Sequence, residues 1–235
     1  MLGGSSLSSG ARPVNGLVYL SRLSLLVFHG VAPLFRRLWR LGGMVFFVPR
    51  GVFNPVVPVS SVLLVELVRR YARGLVVDIG CGSGVLSVAA ARLPRVGLVL
   101  GVDSSLVSVA VTRVNAWLNE VEDRVRCYPS WRCLLGEVVS RGGADTVVVN
   151  PPYLPCDPLL PGEEAWCGGK DLSITLRLLG LSLGLLRSNG VLLASLSSLS
   201  GPEIPGFLRS RAKCFDKVSK RIGTEEILAV ACRPT

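Results

Sequence analysis

Residues 74–103 read GLVVDIGCGSGVLSVAAARLPRVGLVLGVD, and this stretch decides the fold. Leu75–Ile79 reads as an apolar strand, Gly84–Arg92 as a helix and Gly97–Val102 as a second strand. Between the first strand and the helix lies Asp78-Ile79-Gly80-Cys81-Gly82-Ser83-Gly84. Glycines there let the backbone approach a ligand closely, and the N-terminus of the following helix favours an anionic group. The second strand ends Gly101-Val102-Asp103, about 20 residues beyond the turn, where an acid accepts hydrogen bonds from two ribose hydroxyls. This evidence alone leaves a nicotinamide cofactor open, although the glycine pattern is GxGxG and not the GxGxxG of a dinucleotide turn.

The same rhythm continues on both sides. Met44–Val48 reads as a short strand, and Ser60 or Ser61 is placed to N-cap a helix running to about Ala72. Residues 105–119 form a helix, Arg124–Tyr128 a strand, 132–140 a helix and Thr146–Val149 a strand. A Leu-rich helix over 172–186 is followed by Gly190, and Val191–Leu196 is a strand. A helix over about 203–210 and strands over 213–219 and 225–232 end the chain. Apolar strands alternating with helices imply a parallel sheet covered on both faces. The last two strands have no helix between them and add an antiparallel edge.

A second motif, Asn150-Pro151-Pro152-Tyr153, follows the fourth core strand. Its position places it at the carboxyl edge of the sheet, beside the glycine turn. Two prolines fix the backbone and remove two N–H donors. The loop then presents acceptors, the Asn150 side-chain oxygen and main-chain carbonyls, with Tyr153 offering a flat face. Acceptors suit an uncharged –NH2 group, such as a carboxamide or the amino group of adenine.

At these residues the chain resembles the class I S-adenosylmethionine-dependent methyltransferases of the HemK/PrmC-like group, whose signature is NPPY. The resemblance covers about residues 50–235. Downstream, Glu164-Ala165-Trp166-Cys167-Gly168-Gly169-Lys170-Asp171 is similar to a block of the eukaryotic and archaeal branch that methylates the glutamine of translation termination factors. The resemblance implies a Rossmann-like doubly wound α/β domain over residues 43–235, with a seven-stranded, mostly parallel sheet, a C-terminal antiparallel edge and an N-terminal helical extension over 1–42. It implies S-adenosylmethionine as cofactor. Gly80, Gly82 and Gly84 would shape the pocket under its methionine part, with Asp78, Cys81 and Ser104 beside them and Asp103 on the ribose. Asn150 and the Pro151 carbonyl would hold the acceptor –NH2, with Pro152 and Tyr153 completing the catalytic loop. It also implies a small zinc-binding activator that pairs with the sheet edge, so poor solubility is expected without it.

Two departures stand out. The branch has an acidic pair before its first core helix, where this chain has only Ser60 and Ser61, which read as weak substitutes or as a plain N-cap. It also has an acid after the third core strand, where this chain has Tyr128-Pro129-Ser130-Trp131. There Ser130 would accept one hydrogen bond from adenine and Trp131 would stack on it, or both belong to the core.

Composition sets the outer bounds. The 235 residues suit one domain with an extension, and 49% are apolar. The longest stretches without Asp, Glu, Lys or Arg, 51–65 and 188–202, are each too short for a membrane span. A polytopic membrane protein, a disordered tail and a fibrous repeat are excluded. Residues 1–65 hold six Arg and no acid, so much of the net charge of +10 lies there. That excess reflects codon usage and solubility, or a patch for RNA, a ribonucleoprotein or an anionic surface. Residues 1–16 read as loose. In 17–42, Leu34, Leu38 and Leu41 with Phe35 and Trp39 fall at helical spacing, which predicts two helical stretches parted near Gly30–Pro33. A cap on the domain is favoured over a membrane-surface helix or a substrate-docking arm. The seven Cys contain no CxxC pair and there is one His, so most Cys read as buried apolar residues of a reducing, cytoplasmic protein, and no metal site is expected. The absence of Gln and the heavy use of Arg hint at a thermophile.

Three functions fit these residues. Protein-glutamine N-methylation of a termination factor leads. Methylation of an adenine amino group in RNA or DNA is the alternative. A non-catalytic binding subunit that has kept the fold is the third.

Overall fold

The computed structural model describes residues 15–35, 37–54 and 59–235. The loose segment expected over residues 1–16 therefore lies almost wholly outside the described residues, as do residues 55–58. One helix, α1 (Asn15–Phe35), precedes a two-stranded hairpin, β1 (Leu38–Leu41) and β2 (Met44–Phe47). Then follow α2 (Val59–Tyr71), β3 (Gly74–Ile79), α3 (Val85–Ala91), β4 (Val96–Val102), α4 (Leu106–Leu118), β5 (Val125–Tyr128), α5 (Trp131–Ser140) and β6 (Ala144–Val149). The remainder is α6 (Ser173–Gly184), β7 (Leu186–Ser197), α7 (Glu203–Arg211), β8 (Ala212–Ile222) and β9 (Glu225–Pro234).

The large sheet runs β5-β4-β3-β6-β7-β9-β8. The pairs β5–β4, β4–β3, β3–β6 and β6–β7 are parallel, while β9 is antiparallel to both β7 and β8. This is the doubly wound, seven-stranded sheet that the resemblance implies, and the short strand read over Met44–Val48 lies outside it in the hairpin. The antiparallel strand lies second from the end. Alternate strand residues feed two cores. Val76, Val99, Val148 and Leu193 pack under α2, α3 and α4, while Val77, Leu100, Val147 and Leu192 pack under α5, α6 and α7.

The N-terminal region departs from the sequence reading. Backbone of α1 runs unbroken through Gly30–Pro33, because one proline removes a single ladder bond and the flanking turns persist. Leu38, Trp39 and Leu41 are in a strand and not a helix. Gly42 and Gly43 have φ of +55° and +78°, the two left-handed residues of a tight hairpin turn, and this local choice overrides the helical spacing. The hairpin straddles the boundary placed at residue 42. Two asparagines four residues apart, one in α4 and one capping its C-terminus, hold it: Asn115 Oδ1 accepts from Phe47 N–H at 2.7 Å, and Asn119 Oδ1 from Val45 N–H at 3.0 Å. Gly190 lies inside β7, which begins at Leu186, before the position expected from the Leu-rich run.

The cysteines also differ from expectation. Cys156 pairs with Cys167 and Cys214 with Cys232, leaving Cys81, Cys127 and Cys133 free. Cys214 and Cys232 are register partners on neighbouring antiparallel strands, and Cys156 and Cys167 meet across the Leu154–Cys167 bridge. Pairing 11 and 18 residues apart depends on strand register, which residue spacing does not display. The reading of these four as free thiols of a reducing compartment is corrected accordingly. Among the described residues no helix is long and apolar enough to cross a membrane.

Candidate methyl-transfer site

Sheet register brings the two motifs together. Ile79 pairs with Val102 on one side and with Val149 on the other, so Gly80, Asp103 and Asn150 emerge side by side at the carboxyl edge. Tyr128 pairs with Val102 and Ala194 with Val149, which brings Ser130 and Ser195 to the same edge.

The glycine turn divides by role. A Cβ placed on Gly80 would meet nothing within 4 Å, and one on Gly82 only the Gly80 carbonyl at 3.8 Å. Both border open space at positive φ. Gly84 faces the protein instead, where a Cβ would lie 2.8 Å from Thr112 Cγ2. Gly84 therefore serves the close approach of α3 to α4. Asp103 ties the turn to β4: its two carboxylate oxygens accept from Gly82 N–H and Ser105 N–H, each at 2.9 Å. Each oxygen keeps a lone pair for a ligand hydroxyl. Asp78 is fully buried, and Ser87 donates to its Oδ2 at 2.5 Å. Burial first of all raises its pKa to about 7, against the lowering effect of Ser87. Its Oδ1 is buried with no partner among the described residues. Cys81 is buried and contacts Thr112 Oγ1 at 3.4 Å, and its thiol is held well above the ordinary range by Cys127 and by burial.

The remaining cofactor-side candidates are placed differently. Ser104 is exposed in the turn after β4. Ser130 accepts from Arg132 N–H at 3.2 Å and N-caps α5. Trp131 packs on the core under α5, so these two residues are seen in the structural role that the sequence left open.

The acceptor loop is tightly held. Asn150 Nδ2 donates to Ser61 Oγ at 3.2 Å, and Ser195 donates to Asn150 Oδ1. The Pro152 carbonyl accepts from Thr175 and the Tyr153 carbonyl from Ser200 at 2.8 Å. No hydrogen bond reaches the Pro151 carbonyl from the described residues. Of three successive carbonyls it is the one left for a ligand. Ser60 and Ser61 are buried in the first turn of α2, and Ser61 holds this loop through Asn150 rather than acting as a plain N-cap. The sequence marks Ser61 as a weak substitute for the acidic pair, whereas Ser195, Thr175 and Ser200 were missed because isolated hydroxyl residues have no motif, and only the register collects them.

Tyr153 does not present an open face. It is buried among Val18, Leu154, Trp166 and Leu199, with the inner face of α1 packed over it. Burial pushes its hydroxyl above the usual tyrosine range. An ion pair fastens that cover: Arg22 Nε donates to Glu163 Oε1 at 2.6 Å. Glu163 also accepts from Leu159 and Leu160 N–H groups, and with Arg22 as the main cause its pKa is lowered to about 2.

This geometry suits a nucleoside bearing a small charged tail. The open flank of Gly80 and Gly82 gives room, the Asp103 oxygens keep lone pairs that suit hydroxyls, and the Pro151 carbonyl has no partner among the described residues.

Comparison with known proteins agrees. Residues 60–151 match the family model described as Ribosomal protein L11 methyltransferase (PrmA). A release factor glutamine methyltransferase of Mycobacterium leprae is 32% identical over 163 residues, covering 64% of this chain and 56% of that protein. A ribosomal RNA small subunit methyltransferase C of Escherichia coli is 37% identical over 105 residues, covering 44% of this chain and 29% of that protein. The chain thus spans about half or less of these relatives' length. The ribosomal protein L11 methylase of Lactobacillus delbrueckii subsp. bulgaricus superposes with a TM-score of 0.51 at 26% identity, covering 71% of this chain and 75% of that one. The M. jannaschii tRNA m1G37 methyltransferase shares the fold, with a TM-score of 0.61 at 15% identity over 86% of this chain and 58% of that one. The glycine turn, Asp103 and the Asn150 loop lie together on a sheet of this kind, and the chain is related to the HemK/PrmC group of class I S-adenosylmethionine-dependent methyltransferases.

Proposed function

We propose that this protein uses S-adenosylmethionine to methylate a planar amide nitrogen, the glutamine side chain of a translation termination factor. The observation that carries the reading is the pair of acceptors at the loop, Asn150 Oδ1 and the Pro151 carbonyl, the latter without a partner among the described residues. The relative from Mycobacterium leprae named release factor glutamine methyltransferase supports the choice of substrate.

The cofactor supplies an electrophilic methyl group on a sulfonium. The chain's own residues supply alignment. An amide nitrogen is a poor nucleophile because its lone pair is delocalised into the carbonyl. Two acceptors on its hydrogens fix the rotation of the –NH2 group and raise its electron density. Positioning of this kind contributes several kcal/mol, on the order of 7–11 at best. Ser61 and Ser195 keep the Asn150 amide from turning, and Asp103 holds the nucleoside end.

The test is incubation of the purified protein with methyl-labelled cofactor and the cognate termination factor, beside bulk RNA. Label in the factor, mapped to one glutamine, is the expected outcome. Label in the RNA alone would favour the second reading, adenine amino methylation, which the relatives named for ribosomal RNA motivate. Label in neither, with no cofactor bound, would leave a non-catalytic binding subunit.

A small zinc-binding activator is proposed to pair with the edge strand β5. Exposed Leu106, Val107, Val114 and Trp117 of α4 and Leu135 and Val139 of α5 flank that strand on its two faces. Such a flanked edge, unpaired among the described residues, is what strand addition covers. Co-expression should raise the soluble yield. A cytoplasmic, thermophilic setting is consistent with two disulfides, since intracellular proteins of hyperthermophiles are disulfide-rich. The N-terminal arginines leave contact with RNA or a ribonucleoprotein as a further proposal.

A further inference from the structure

We infer that Thr175 and Gly168 are positioning residues for the acceptor loop, fixing the Pro152 carbonyl so that the Pro151 carbonyl stays turned toward the substrate. The inference rests on the reading of Asn150-Pro151-Pro152-Tyr153 as the acceptor site.

Proline rings fix φ at residues 151 and 152, so the loop's remaining freedom is the rotation ψ of each. Thr175, fully buried in the first turn of α6, donates its hydroxyl to the Pro152 carbonyl. That bond sets ψ of Pro152. Next along the chain, Ser200 holds the Tyr153 carbonyl, and Leu154 N–H donates to the Trp166 carbonyl at 2.9 Å. Every peptide group of the loop beyond Pro151 is thus clamped, which leaves one orientation for the Pro151 carbonyl.

Gly168 makes the clamp sterically feasible. A Cβ there would lie 2.2 Å from Thr175 Oγ1 and 2.6 Å from the Pro152 carbonyl oxygen. Any side chain at 168 would occupy the space that the hydrogen bond needs. The approach of α6 is enforced in turn. Leu172, just before the helix, has φ of +58°, a left-handed conformation that costs a branched residue roughly 1–2 kcal/mol. It is held there by Leu172 N–H donating to the Gly169 carbonyl and by Asp171 accepting from Ser173 N–H, both at 3.0 Å. Strain maintained by surrounding contacts marks a place where position matters. This gives a physical reason for the Gly-Gly pair in Trp166-Cys167-Gly168-Gly169.

The experiment compares Thr175→Val, Thr175→Ser and Gly168→Ala with the unsubstituted protein. Cofactor affinity is read by calorimetry, methyl transfer to the termination factor or RNA by label, and the Pro152–Tyr153 peptide by crystallography. Thr175→Val and Gly168→Ala should lower kcat about tenfold or more with cofactor affinity within twofold, and Thr175→Ser should restore it. Their crystals should show the Pro152 carbonyl rotated. An unrotated carbonyl in both variants, or loss of cofactor binding in step with kcat, overturns the inference. A wild-type protein that transfers to no acceptor sinks the proposed function, and the rotation of the carbonyl still decides this inference.

Discussion

Ser87 donates its hydroxyl hydrogen to Asp78 Oδ2 across 2.5 Å, inside a core where the other oxygen of Asp78 has no partner among the described residues. A half-satisfied buried carboxyl prefers its neutral form, and burial outweighs the Ser87 bond in raising the pKa from 3.8 to about 7. Between those two values the folded state binds a proton that the unfolded state has released. Stability from this group therefore falls as pH rises from about 4 to about 7. Asp78→Asn removes that slope. The Tm of the wild type minus that of the variant, measured over this range, should decline with pH. Parallel curves would show that Asp78 does not titrate there.

Asn150→Ala should lower methyl transfer by about a hundredfold or more while cofactor affinity survives, because it deletes one of the two acceptors proposed to hold the substrate –NH2. Ser195→Ala should cause a smaller loss, about tenfold, since it only frees the Asn150 amide to turn. Calorimetry with the cofactor beside a single-turnover assay separates the two effects. Transfer that persists in Asn150→Ala would place the acceptor site elsewhere.

Asp103→Ala should act in the opposite way, weakening cofactor binding by roughly 10- to 100-fold through lost charge-assisted hydrogen bonds. It also strips Gly82 and Ser105 N–H groups of their acceptor. A titration that shows wild-type affinity would remove Asp103 from the ribose.

Arg22→Ala breaks an ion pair whose carboxylate partner is fully buried. Glu163 keeps two backbone donors, so the expected cost is about 2–3 kcal/mol. With its pKa lowered to about 2, Glu163 stabilises the fold fully above about pH 4.5, and that contribution is lost as pH falls toward 2. The variant should therefore be less sensitive to acid over that window and more readily cleaved within residues 154–172. Limited proteolysis across pH checks both.

Reduction should loosen the C-terminal end of the sheet. Cys214 and Cys232 close a loop of 18 residues, worth about 3 kcal/mol of chain entropy in the unfolded state. A reductant, or Cys214→Ser with Cys232→Ser, should lower Tm by several degrees, as calorimetry would record. An unchanged Tm would mean that the pair is not bonded in solution.

The residues of the central motifs carried most of the fold. Val76, Val77, Leu100 and Val147 announce buried parallel strands because they stand in unbroken apolar runs, so that successive side chains bury both faces of the sheet. The glycine turn, Asp103 and Asn150 were legible as a site because a strand end followed by glycine, acid or proline has few other uses. Hydroxyl partners were not legible. Thr175, Ser195 and Ser200 come from α6 and the segment around the end of β7, and a hydroxyl residue in isolation reads as surface or cap; the sequence singles out only Ser61, as a weak substitute for an acid.

Local chemistry by itself determined the α/β class, the order of strands and helices, and the edge of the sheet where the motifs gather, since these follow from apolar patterning and from what glycine and proline permit. Tertiary structure alone decided the two disulfides, the burial of Tyr153 under α1 and which of the carbonyls of residues 151–153 has no partner among the described residues. Each depends on which distant segments lie against one another, a choice made by the balance of packing and register over the whole chain and not by any residue's own preference.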